Sequence, residues 1–65
     1  MTKAEFTNAV KDVLLKSYKY SEEKANKCIN SQEAKAVIDD DYNYINDKSM
    51  AISPQATAST LDLMI

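Results

Sequence analysis

The 65-residue chain contains no histidine and no glycine, and it has a single cysteine and a single proline. Without histidine, a zinc site of the Cys/His kind and a histidine general base are both excluded. Without glycine, a glycine-rich phosphate loop is excluded, and the tight hairpin turns that favour glycine are missing, which argues against a β-rich fold. Cys28 has no partner for an internal disulfide, and this suits a reducing compartment.

Arginine is also absent: the eight basic residues are all lysines, and the formal net charge is −2. Residues 1–27 hold six lysines and four acidic residues, whereas residues 28–65 hold two lysines and six acidic residues. Because phosphate and base recognition favour the arginine fork, and an acidic chain is repelled by a nucleic-acid backbone, direct nucleic-acid binding is disfavoured. The second half of the chain instead predicts an acidic body that can meet a basic partner.

Long apolar runs are missing as well. No run approaches the length needed to cross a bilayer, and the N-terminal sequence MTKAEFTNAV has no apolar core of the signal-peptide kind. We therefore expect a protein of the host-cell cytoplasm with no membrane partner.

Helix start signals recur along the chain. Thr2 and Glu5 have the spacing of a capping box, in which each side chain accepts from the backbone of the other residue. Ser21 stands before two glutamates, which favour the positive start of a helix. Ser53 before Pro54 is a further start signal, because serine caps helices and proline is at home in their first turn.

These signals and the helical spacing of apolar residues predict one all-α domain over residues 1–65. The fold class is a small bundle of three to four short helices, over about 3–18, 22–30, 32–46 and 54–64. The segment INSQEA leaves open whether the second and third helices are separate, with Asn30 or Ser31 as the cap, or one kinked helix. The predicted core is a set of apolar residues at helical spacing: Phe6, Val10, Val13, Leu14, Ile29, Ile38, Ile45 and Leu61.

The segment VIDDDYNYIND places three aspartates in a row on the third predicted helix. Successive residues are about 100° apart around a helix, so the three carboxylates cannot converge on one ion. The spacing also fails as an EF-hand loop, which needs a central glycine and a terminal glutamate. We read Asp39 and Asp40 as a solvated face, and no metal or cofactor is expected.

Asp41 is different because it falls within the apolar stripe of the third helix. A carboxylate there is costly unless it is paired. One interpretation is structural: Asp41 caps a neighbouring helix or accepts a hydrogen bond from a lysine or a tyrosine hydroxyl. The other places it at a self- or partner interface, where it sets specificity.

Candidate partner-binding residues are few: Leu15, Tyr18, Asp40, Asp41 and Tyr44. Leu15 lies opposite Phe6 on the first helix and forms a possible patch with Tyr18, since tyrosine is favoured in binding hot spots. The alternative is that the fourth helix covers this side and makes the first helix central. Tyr44 either packs at the core edge with its hydroxyl in water or contacts a partner.

Catalysis is not expected. The serines lack a histidine partner, and Cys28 lies on the apolar side of a short helix with no base to lower its pKa. A chain of this size also has little room for a substrate pocket. We therefore predict that the protein is not an enzyme.

The segments TKAEF, YKYSEEKA and SPQATASTL, in this order, resemble short helical proteins encoded by phages and mobile elements of low-GC bacteria. Such proteins often have a glycine before the final Ser-Pro, which this chain lacks. The resemblance carries over no functional residues and implies a small accessory protein that acts by binding.

The expected function is a non-enzymatic protein-binding module, of the kind that inhibits or adapts a host protein through an acidic helical surface. One alternative is a small DNA-binding regulator of the helix–turn–helix kind. The other is a structural homo-oligomer, favoured by the small core and the apolar LDLMI end.

Overall fold

The computed structural model describes residues 2–48 and 53–64, with only the backbone described for residues 45–48. Four α-helices lie within these ranges. They are α1 (Lys3–Lys16), α2 (Glu22–Asn30), α3 (Gln32–Lys48) and α4 (Pro54–Met64). No strand occurs within the described ranges. The prediction of an all-α bundle is confirmed.

The N-terminus of α1 is a capping box. The backbone N–H of Glu5 donates to the Thr2 hydroxyl at 3.2 Å, and the Thr2 N–H donates to the Glu5 carboxylate at 2.8 Å. Both donors would otherwise lack partners in the first turn. The hydrogen bond from the Thr2 backbone also lowers the pKa of Glu5.

The link between α1 and α2 turns at Lys19, which has a φ of 61° in the left-handed region. The turn directs the Tyr20 N–H back to the Leu14 carbonyl at 3.0 Å. As a result α1 ends at Lys16, two residues short of the predicted end, and Tyr18 lies in the turn. Ser21 then caps α2 by accepting from the Lys24 N–H at 3.1 Å.

A single extended residue separates α2 from α3, so the two helices are distinct. Ser31 has φ −67° and ψ 151°. Its hydroxyl accepts from the Ala34 N–H at 3.2 Å and donates to the Cys28 carbonyl at 2.9 Å. One serine thus satisfies a donor at the start of α3 and an acceptor at the end of α2.

A serine also caps the start of α4. The Ser53 hydroxyl accepts from the Ala56 N–H at 3.2 Å, and Pro54 occupies the first helical position. Proline costs nothing there, because the first N–H groups of a helix have no partner within the helix.

Helix α1 lies at the centre of the bundle and contacts each of the other three helices. Its buried residues pack against small side chains of α2, α3 and α4, which lets the helices approach closely. Among the described side chains, the buried apolar residues are Phe6, Val10, Leu14, Tyr20, Ala25, Cys28, Ala34, Ile38, Ala58 and Leu61.

Five of the eight predicted core residues are fully buried. Val13 and Ile29 are half-buried and pack against the core, and Ile45 lies outside the described side chains. Thr57 is polar but fully buried, and its hydroxyl donates to Asp41 of α3.

Candidate protein-binding surface

Leu15 and Tyr18 are half-buried and pack against the core instead of forming an open patch. The Tyr18 ring lies edge-on to Tyr20, with 6.3 Å between the ring centroids. This arrangement leaves only part of each side chain available to another molecule. Their role in partner binding stays a prediction.

Asp41 is half-buried and accepts a hydrogen bond of 2.6 Å from the Thr57 hydroxyl of α4. The predicted partners were a lysine, a tyrosine or a helix start, whereas the donor is a threonine in the first half of α4. The bond satisfies a fully buried hydroxyl and ties the middle of α3 to α4. Asp41 therefore has a structural partner, and its part in binding stays a prediction.

A second polar contact, between Tyr20 and Asp62, holds α4 from the opposite side. The Tyr20 hydroxyl donates to the Asp62 carboxylate at 2.5 Å, and the Lys24 ammonium lies 4.2 Å from the centre of the Tyr20 ring. The hydrogen bond to Asp62, followed by burial, raises the pKa of Tyr20 to about 12. Sequence reasoning missed this pair, because 42 residues separate its members and no local pattern joins them.

Cys28 is buried in the core. Burial, and then the nearby Asp62 carboxylate, raises the pKa of its thiol, while Lys24 acts in the opposite direction. A thiol of raised pKa is a poor nucleophile, since the thiolate is the reactive form. The side chain acts as a small hydrophobic residue between α2 and α4.

Four of the five acidic residues on the α1–α2 side of the molecule pair with lysines, and the fifth, Glu5, accepts the Thr2 backbone N–H. Asp39 of α3 belongs to this group, because it lies on the side of α3 that meets α1. The ion pairs are Lys3 with Asp39, Lys11 with Glu22 (4.0 Å), Lys16 with Asp12 (3.1 Å) and Lys27 with Glu23 (3.5 Å).

The remaining acids of α3 and α4 differ. Glu33, Asp40, Asp41 and Asp62 form no ion pair with any side chain that the structure describes. Glu33, Asp40 and Asp41 lie within about 100° around α3, and Tyr44, 40% exposed, lies among them. We call Glu33, Asp40, Asp41 and Tyr44 the acidic face. It contains three of the five candidate residues from the sequence and adds Glu33, whose seven-residue spacing from Asp40 was the signal available to find it.

A shallow groove of about 360 Å³ borders the acidic face where the start of α3 meets the end of α4. Its apolar floor is buried, and Glu33 and Met64 stand at its edges. The lining residues are Cys28, Ser31, Glu33, Ala34, Leu61 and Met64. We call this the α3–α4 groove.

A second groove, of about 380 Å³, lies on the other side of α3. Its charged rim contains Lys3 and Asp39, which pair with each other, and Lys35. Because Lys3 and Asp39 already pair with each other, this groove carries less uncompensated charge than the acidic face.

Neither a metal cluster nor a membrane span was found in the described part of the chain. No group of three or more histidine, cysteine, aspartate or glutamate side chains within it is placed to hold a metal ion. None of its helices is both long enough and apolar enough to cross a bilayer.

Comparison of the chain with protein-family models, curated proteins and solved structures gave no match.

Proposed function

We propose that the chain is a non-enzymatic protein-binding module whose acidic face receives a basic surface of another protein. The observation that carries this proposal is the separation of charge. Lysines pair with four of the five acids beside α1 and α2, and the fifth, Glu5, accepts the Thr2 backbone N–H, whereas the acids of the acidic face have no lysine partner among the described side chains. Uncompensated charge on one face attracts a partner of opposite sign and orients it during encounter.

The same separation favours a protein partner over a nucleic acid. Of the seven lysine side chains that the structure describes, four form ion pairs, and a fifth, Lys24, lies over the Tyr20 ring. Few lysines therefore remain to neutralise phosphates, and arginine is absent. A DNA-binding regulator would bind random duplex with an affinity that falls steeply with salt. We expect no binding to duplex at low salt.

The biological setting proposed with this function is that of a phage-type accessory protein, which acts in the host cytoplasm by inhibiting or adapting a host protein. Its support is the resemblance of the segments quoted above and the small size of the chain. An acidic face of this kind fits a basic groove on the partner, including one that otherwise holds nucleic acid.

The test compares the proteins captured from a lysate of the source cell by three immobilised chains. The first is the wild type, the second is Glu33→Gln with Asp40→Asn, and the third is Glu22→Gln with Glu23→Gln. The third removes the same number of charges from α2, where both carboxylates face lysines. Quantitative mass spectrometry then ranks the captured proteins by their loss from each variant.

We expect at least one basic protein to be retained by the wild type and the α2 variant and lost from the acidic-face variant. A capture profile that all three chains share would contradict the proposal, because the acidic face would then contribute nothing selective. Thermal melting of each variant checks that the fold is intact.

Self-association is the second candidate, and one observation favours it. Leu63 and Met64 at the end of α4 are 84% and 48% exposed. Exposed apolar side chains of this size are a usual feature of interfaces when they cluster. If they join two copies, Leu63→Lys should dissociate the assembly and leave the melting temperature of the monomer unchanged.

A further inference from the structure

We propose that the α3–α4 groove and the adjoining acidic face together bind an amphipathic helix that carries one apolar anchor and two basic residues seven positions apart. This inference rests on the proposed function and specifies its partner: a basic helical segment that lies along α3.

The floor of the groove supplies the site for the anchor. Leu61 and Ala34 are each 1% exposed and form a fixed apolar base. Met64 at the edge is half exposed, and its unbranched thioether side chain can adjust to the shape of an inserted group. A groove of about 360 Å³ that is open to solvent admits one aliphatic or aromatic side chain.

The direction of the groove follows from the packing of α3 against α4. Asp41 contacts Thr57, while Ala34, seven residues earlier, lines the groove with Met64, seven residues after Thr57. The two helices are therefore antiparallel, and their seam runs along α3 beside the acidic face. A third helix can lie in such a seam by the same packing that joins helices in a bundle.

The charges set the register of the occupant. Glu33 and Asp40 are exposed, are seven residues apart on one face, and lie about 10 Å apart along the helix axis. A helix that packs alongside α3 presents its own residues at the same spacing, so lysine or arginine seven positions apart can meet both carboxylates. An apolar residue within one turn of the basic residue that meets Glu33, on the side towards α4, then lies over the groove, because Glu33 and Ala34 are the residues of α3 that line it.

A second copy of this chain fits the site poorly. Most of its lysines lie in residues 1–27, but no two lysines of the chain are seven positions apart, so no helix of a second copy presents the required pair. Two copies that met through this surface would bring like charges together, which is unfavourable. Charge complementarity therefore selects a basic partner.

The probe is a fluorescent synthetic helix of about 18 residues, or five turns, with a leucine anchor and two lysines seven positions apart on an alanine and glutamine background. A matched isomer has the same composition, but its two lysines are moved to the opposite face. Fluorescence anisotropy gives the affinity of each peptide for the full chain at low and high salt. The methyl signals of Leu61 and Met64 in NMR spectra report whether the anchor enters the groove.

We expect the probe to bind the wild type roughly tenfold more tightly than its isomer does, and to shift the methyl signals of Leu61 and Met64. Glu33→Gln with Asp40→Asn should remove that preference, and Met64→Ala should weaken binding about equally at low and high salt, because it removes an apolar contact. Glu23→Gln, on α2, should change nothing.

Equal affinity for the probe and the isomer, no binding of either at low salt, or methyl signals that stay in place would each overturn the inference. A mass increase that the probe reverses would also overturn it, in favour of a second copy as the natural occupant. Such results leave the proposed function standing if the capture of a basic protein still depends on Glu33 and Asp40. If that dependence is also missing, the proposed function fails as well.

Discussion

At the scale of single residues, Lys19 is in an unfavourable conformation. Its φ of 61° places its Cβ close to the backbone, which costs an L-residue about 1–2 kcal/mol. The bend is nevertheless needed, because it lets the Tyr20 N–H donate to the Leu14 carbonyl just before α2 begins. The chain has no glycine to occupy this position.

Lys19→Gly should therefore stabilise the fold by about 0.5–1 kcal/mol, since the relief of strain exceeds the added entropy of the unfolded chain. Urea denaturation measures the change. Lys19→Ala keeps the Cβ and removes the same charge, so it should give no gain. Equal gains in both variants would mean that the lost charge, and not the backbone, matters.

Tyr20 gives a prediction on pH. Its ordinary pKa is 10.0, and the hydrogen bond to Asp62 with burial raises it to about 12 in the folded chain. The neutral phenol is the form that donates, so the stabilisation is complete below pH 10 and is lost as the pH rises to about 12. The contribution is on the order of 2 kcal/mol.

Spectrophotometric titration of the wild type against Tyr20→Phe isolates this hydroxyl from the other tyrosines. We expect the absorbance of Tyr20 to change near pH 12. Asp62→Asn should move it towards pH 10, because the negative acceptor is removed. An unchanged titration in Asp62→Asn would show that Asp62 is not the cause.

At the scale of helices, α4 is held by few apolar side chains and by two polar contacts. Ala58 and Leu61 are its buried apolar residues among those described, and the first half of the helix offers little other apolar bulk. Asp41 with Thr57 and Tyr20 with Asp62 hold its two sides. A short helix of this kind depends on docking for its stability.

A double-mutant cycle on Asp41 and Thr57 measures the first of these contacts. Thr57→Val keeps the shape but removes the donor. It should lower the free energy of unfolding by about 1–3 kcal/mol, because the half-buried Asp41 carboxylate then lacks its hydrogen-bond donor. The double variant with Asp41→Ala should lose less than the sum of the single variants. Asp40→Ala, at an exposed neighbouring position, should change stability by under about 0.5 kcal/mol.

The same variants separate the two interpretations of Asp41. If Asp41→Asn lowers stability and leaves partner capture intact, Asp41 is only a structural residue. If capture falls while the melting temperature holds, the carboxylate also contributes to the interface.

The helices could be predicted from the sequence because their start signals are local. Serine or threonine caps, the capping box and the Ser-Pro pair each act within four residues, and all of them cap helices in the structure. The end of α1 was less predictable, since it depends on Lys19 adopting a left-handed conformation that a lysine does not signal. The partners of Asp41 and Tyr20 depend on how α4 docks, and no local pattern encodes that.

At the scale of the whole molecule, the charge separation visible in the sequence becomes a surface. The excess of acids in residues 28–65 was predictable by counting, and so was the exposed face of α3 that holds Asp40. The neutralisation of Asp39 by Lys3 was not, because it requires α1 and α3 to be adjacent. The α3–α4 groove likewise exists only once the helices are packed.

The most direct test of the acidic face as a binding surface for another protein is the solution mass of the chain, measured by light scattering over a concentration series at low and physiological salt. We expect a monomer of 7.3 kDa throughout, because the acidic face repels its own copy and is left for a basic partner. A stable dimer would contradict this expectation, and one that strengthens when Glu33 and Asp40 are neutralised would show that the acidic face is a self-interface.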